Sequence, residues 1–244
     1  MTISADTWQA RAAMCELLAL SLRYPQDSVL SEAVASGEWY EAADEIAGAL
    51  GLAWSTDEVA ADAPAESVLA LPDPAELQKK LRAEATRLFV GAPKPEVSPY
   101  EGVWRAADDG VQALLFVNPH SMEVERFCKA CGLGRPEGTN EPLDAVATEL
   151  ELLEYLALRA AVDAAETEGD TLYKDEGEGE DTDEEPGDVV TSADLPGGSP
   201  EAAWNQFMAD HAKVWMPRFA EAVVEQSRVL FYRQAANLLG AFIG

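Results

Sequence analysis

Apolar residues along the chain recur mostly at three- and four-residue intervals, the spacing that gathers them on one face of an α-helix. Over residues 7–22 the stripe is Trp8, Ala12, Cys15, Leu18 and Leu22, and Tyr24 with Pro25 stops it, because proline cannot continue a helix and biases its predecessor towards extended backbone. Shorter helical stretches follow at 28–35 and 38–52. Pro74 suits a first helical turn, and a helix from there to Val90 sets Leu77, Leu81, Ala85 and Leu88 on one side. Gly91, Pro93 and Pro95 end it, and Pro99 is expected to keep the chain irregular through Gly102. Further helices are predicted from Asn118 or Pro119 to near Gly132, from Asn140 to about Ala165, over 201–213 and over 227–243, with Pro217 restarting the chain between the last two.

In the 140–165 helix Leu143, Val146, Leu150, Leu153 and Ala157 form the stripe. Leu152, Tyr155 and Leu156 widen it, which predicts a helix buried on more than one side. Strand-type alternation is nearly absent; residues 111–117 come closest, and one isolated strand is unstable. The pattern predicts an all-α fold, a single-domain bundle of about 8–11 helices spanning 1–244.

Charge sharpens this picture. Asp and Glu number 45 against 17 Lys and Arg, a formal net charge of −28. Such a field repels nucleic acid and anionic lipid and attracts a partner with a basic segment. Residues 163–188 alone supply −12 and have little to bury, so a flexible acidic insertion is expected over 163–200. The same acidic bias also suits solubility at high ionic strength with no ligand implied. Residues 1–22 carry Asp6, Arg11 and Glu16 and lack the cationic start and apolar run of an export signal. No stretch of about 18 uncharged apolar residues occurs. The expectation is a soluble cytoplasmic protein, monomeric or homodimeric.

Catalytic chemistry finds little footing. With only His120 and His211, and neither in a nucleophile motif, a hydrolytic triad is disfavoured, and no phosphate-cradling glycine loop is present. No cofactor is expected. Cys128 and Cys131 form a C-x-x-C pair, but a structural zinc site needs four ligands. One turn apart on a helix, they read as two core thiols. A redox- or metal-responsive regulator using Cys128 and Cys131 is the alternative reading.

Two segments stand out. In the first, Leu88 and Phe89 run into a proline-rich loop that carries Pro99, Tyr100 and Glu101, with Trp104 close behind. A stiff rim bearing aromatics suits gripping an extended or helical peptide, although a structural corner accounts for it too. In the second, Glu141, Pro142 and Asp144 open the long helix. The two carboxylates suit a helix N-terminus, and could equally pair with arginines of a ligand.

At these residues the chain resembles the TorD/DmsD/NarJ family of chaperones for redox enzymes. The pattern L-F-x-G-x-P, then P-Y-E-x-V, corresponds to Leu88 through Val103, and E-P-x-D-x-x-x-x-E-L to Glu141 through Leu150. The tail, with His211, Trp215, Pro217 and Phe219 followed by Phe231, Tyr232 and Arg233, is similar to the family's C-terminal pattern. The resemblance implies an all-helical, TorD-like protein with no catalysis of its own. It would bind the twin-arginine signal peptide or N-terminus of a molybdenum-cofactor oxidoreductase, assisting cofactor insertion and delaying export. Carried over by motif position, Leu88, Phe89, Pro99, Tyr100 and Glu101 belong to the peptide-binding region, with Asp144 beside it. Where the family usually has His after that Asp, this chain has Ala145, so no role of an Asp-His pair carries over.

Overall fold

The computed structural model describes residues 3–54, 73–111, 118–134, 142–170 and 190–244. Its helices are α1 (Ala5–Leu22), α2 (Val29–Ser36), α3 (Glu38–Leu50), α4 (Pro74–Ala85), α5 (Glu101–Asp108), α6 (Pro119–Ala130), α7 (Val146–Asp170), α8 (Pro200–Phe207), α9 (Lys213–Gln226) and α10 (Leu230–Ile243). Wider π turns, Thr86–Val90 and Met208–Ala212, extend α4 and join α8 to α9. No strand occurs among the described residues, apart from one isolated bridge between Tyr100 and Ala145. The fold is all-α.

Short-range chemistry sets the helix starts. Asp73, Asn118 and Ser199 each accept a hydrogen bond from a first-turn amide, and each is followed by a proline that needs no partner there. Gly37 ends α2 at φ 91°, a left-handed conformation that a side chain would oppose.

The centre of the bundle is the pair α1 and α7. They run antiparallel: Leu20 and Leu22 at the end of α1 face Val146 and Ala147 at the start of α7, and Cys15 lies beside Glu154. α7 is buried on two sides as its wide stripe predicts, with Leu150, Leu152, Leu153, Leu156 and Ala157 all in the core. α8 and α10 pack around this pair, and α9 lies against α10. Several polar groups in the core find partners there: Trp39 Nε1 donates to Ser21 Oγ at 2.9 Å, and the Tyr232 hydroxyl to the Leu81 carbonyl at 3.2 Å.

Four sequence expectations need correction. Glu101 and Gly102 are helical, not irregular: they open the helix α5, with Pro99 ahead of it and Tyr100 as its extended N-cap. The long helix begins at Val146, since residues 143–145 form a turn and the bridge to Tyr100. Pro217 does not restart the chain. It lies inside α9, where it removes one ladder bond while buried Trp215, Met216 and Phe219 hold the helix on course. Finally, the stretch expected to be flexible is ordered at both ends. α7 continues to Asp170, and 190–200 forms tight turns with a Thr191–Asp194 capping box and a buried Leu195. The remaining acidic residues, 171–189, and the strand candidate over 112–117 lie outside the described residues.

Candidate functional site: a cleft between two motif segments

The two segments singled out in the sequence meet in space. Val146 N–H donates to the Pro99 carbonyl at 2.8 Å and Glu101 N–H to the Asp144 carbonyl at 2.9 Å, fastening 99–101 to 144–146 across the Tyr100–Ala145 bridge. The proline-rich loop is pinned at its other end, where Val97 is buried and its N–H donates to the Leu88 carbonyl at 2.9 Å. Trp104 braces it from behind, donating from Nε1 to the Ser98 carbonyl at 2.8 Å, with the Arg218 guanidinium over its ring.

In front of this junction opens a cleft of about 650 Å³. Phe89, Pro99 and Tyr100 line it together with Leu143 and Ala147 around the start of α7 and Leu20 and Tyr24 around the end of α1. Val90 and Tyr24 are exposed there, at 62% and 42%, an apolar surface open to a ligand. Among the described residues its charged lining is Arg23, Asp27 and Glu151. Of the expected site residues, Phe89, Pro99 and Tyr100 therefore face the cleft. Glu141 lies outside the described residues.

Leu88, Trp104, Glu101 and Asp144 do not line it. Leu88 is sealed in the core, and Trp104 supports the loop. Glu101, expected in the peptide-binding loop, and Asp144, expected to meet ligand arginines, are both engaged internally. Glu101 is fully buried; its carboxyl receives Arg105 Nη1 at 2.7 Å and lies 3.0 Å from His211 Nδ1. Asp144 Oδ2 accepts from the Gly102 amide at 2.9 Å and from Ser121 Oγ at 2.6 Å. Glu149, also fully buried, accepts from Trp215 Nε1 at 3.1 Å. Burial, then the neighbouring Glu101, pushes the Glu149 carboxyl well above the ordinary range, and burial raises Asp144 as well. These acids and His211 tie α5, α7 and the π turn 208–212 together behind the cleft. None of them is part of the cleft lining.

The sequence reading missed Arg23, Tyr24, Leu133 and Glu151 as lining residues. Tyr24 was visible only as part of a helix stop, and Leu143 and Tyr155 only as members of an apolar stripe. Cys128 and Cys131 are both buried, and burial pushes their thiols up to about 11 and about 12. That makes them poor nucleophiles and poor redox partners, against the alternative reading.

A family model described as the nitrate reductase delta subunit matches residues 38–182, more than half of the chain and spanning both motif segments. The chain belongs to the nitrate reductase delta subunit family. Among curated relatives, the chaperone protein TorD of Vibrio cholerae serotype O1 (strain M66-2) is 26% identical over 178 residues, covering 73% of this chain and 66% of the relative. The chaperone protein TorD of Photobacterium profundum is 25% identical over 165 residues, covering 68% and 61%. The chain thus spans a little under two thirds of the length of these relatives, which carry the name of chaperones and not of enzymes. No solved structure matches the chain.

Proposed function

We propose that this delta-subunit family member is a chaperone for the maturation of a molybdenum-cofactor oxidoreductase, holding the client's N-terminal segment or twin-arginine signal peptide in the cleft. It acts as one helical unit from 1 to 244 with the acidic segment as an insertion, and performs no reaction of its own. The observation that carries this reading is the open apolar cleft at the junction of the two family motifs, lined by Phe89, Pro99 and Tyr100. The moderately apolar middle of such a signal fits this lining. Since Glu101 and Asp144 are buried, the peptide's arginines are assigned instead to the cleft carboxylates Asp27 and Glu151 and to the field of a chain with net charge −28.

The energetics suit a client that must later be released. Burying ~400 Å² of apolar surface gains ~10 kcal/mol gross. Ordering the peptide and restricting its motion offset much of this, leaving an affinity of micromolar order. The test is calorimetric titration of a twin-arginine peptide against a twin-lysine control at low and high salt. Binding should weaken with salt, prefer the arginine peptide, and fall about fivefold or more in Tyr24→Ala, whose exposed ring can be removed without opening the core. Equal affinity for both peptides, or indifference to Tyr24→Ala, rejects the assignment.

A further inference from the structure

Apolar surface continues beyond the cleft along α7. Glu151 and Tyr155 line the cleft, and one and two turns past Tyr155 the same face of the helix carries Leu158 and Val162. These two side chains are 48% and 57% exposed. Their neighbours Ala157, Ala160 and Ala161 are buried, so the helix is firmly seated here and the pair faces outward. At 1.5 Å per residue the stripe extends the apolar track by ~10 Å beyond Tyr155.

One flank of this stripe is acidic. Glu154 lies on α7, and Glu16 is exposed on α1, one turn from the cleft-lining Leu20. Partial burial, then the fields of Glu16 and Glu151, raises the Glu154 carboxyl above its ordinary range. A cation placed there would relieve the mutual repulsion of these acids. The other flank is closed by the returning chain. Arg159 donates to the Tyr155 hydroxyl at 2.8 Å and to the Val190 carbonyl at 2.9 Å, and Ser192 Oγ donates to Asp163 at 3.1 Å. Arg159 is thus engaged on that side and not with the acids. An exposed apolar stripe with an acidic margin complements an amphipathic segment that carries apolar residues on one side and Lys or Arg along its edge.

We propose that the outer face of α7 is the continuation of the peptide track: Leu158 and Val162, bordered by Glu154 and Glu16, take the apolar and basic residues that precede the paired arginines of the client segment. This rests on the function proposed for the cleft, and it adds the part of the client that the cleft itself does not hold.

The test is calorimetric titration of the full chain with a twin-arginine peptide, with and without an eight-residue N-terminal extension of leucine and lysine in amphipathic helical order. The extension should tighten binding about tenfold, and the same extension with serine for lysine about threefold or less. In the double variant Leu158→Gln, Val162→Gln, which keeps good helix formers at exposed positions, the gain should fall to about twofold or less, while the unextended peptide binds as it does to the parent. The pair Glu16→Gln, Glu154→Gln should also reduce the gain, and serves if the first variant fails to fold. No gain in the parent overturns the proposal, as does a gain unchanged in both variants. A parent that dimerises in sedimentation equilibrium and comes apart in Leu158→Gln, Val162→Gln overturns it too, because a second copy then covers this face. An unextended peptide indifferent to Tyr24→Ala is a separate result: it rejects the reading of the cleft, and this inference with it.

Discussion

Gly102 occupies a position where only glycine fits. A β-carbon there would lie 2.9 Å from Asp144 Oδ2 and 3.0 Å from Asn118 Nδ2, and closer still to Ser121 Oγ. The acids packed around it are the least legible part of the sequence. Glu101 and Asp144 look like ligand-binding groups because their motif and charge are all that sequence displays; that Arg105, His211 and Ser121 would claim them depends on contacts more than 20 or 100 residues apart for two of the three partners. Glu149 gives the clearest consequence. Its carboxyl is raised in the folded chain, first by burial and then by Glu101, so between the ordinary glutamate value near ~4.3 and that raised value the native state holds a proton that the unfolded chain has lost. Stability therefore declines as pH rises through this window. Glu149→Gln keeps an acceptor for Trp215 and has no proton to lose. Urea denaturation across about pH 5–8 should show a flatter pH profile for this variant, and a midpoint at pH 8 equal to or above that of the parent. A less stable variant with an unchanged profile would contradict it.

Among the elements, strong periodicity translated directly into helices. α1, α4 and α6 are where the stripes put them, and capping residues, followed by a proline in α4 and α6, explain their starts. Errors fell where a breaker residue was read without its surroundings. Pro99 precedes a helix and Pro217 lies within one, because neighbouring buried residues decide what a single lost N–H can do. The cleft was half legible: Phe89, Pro99 and Tyr100 belong to one motif, whereas Tyr24 and Glu151 reach it only through the antiparallel packing of α1 on α7. That pairing is also where the fold is most sensitive. Leu153 is fully buried in the first half of α7, and Leu153→Ala should lower unfolding free energy by about 2–5 kcal/mol, read from denaturant titration, from lost transfer energy and a residual cavity. A cost under about 1 kcal/mol would mean that the pair is not the centre of the core.

For the molecule as a whole, charge acts in two opposed ways. A net −28 spread over 244 residues repels itself in the compact state. Salt screens that repulsion, so the melting temperature of the free chain should rise between low and ~0.5 M sodium chloride, while affinity for a cationic peptide falls. Thermal melts and titrations in the same buffers separate the two; a melting temperature that drops with salt would show that specific ion pairs, such as Arg218 with Asp108, outweigh the overall repulsion.

The shoulders of the acidic stretch carry a last consequence. Asp163 accepts from Ser192 Oγ at 3.1 Å, and Arg159 donates to the Val190 carbonyl at 2.9 Å, so the chain leaves and re-enters the bundle at stitched points, on one flank of α7. Arg159 and Asp163, one helical turn apart, thus clamp the returning chain onto α7, and the entropy of closing so long a loop changes only slowly with its length.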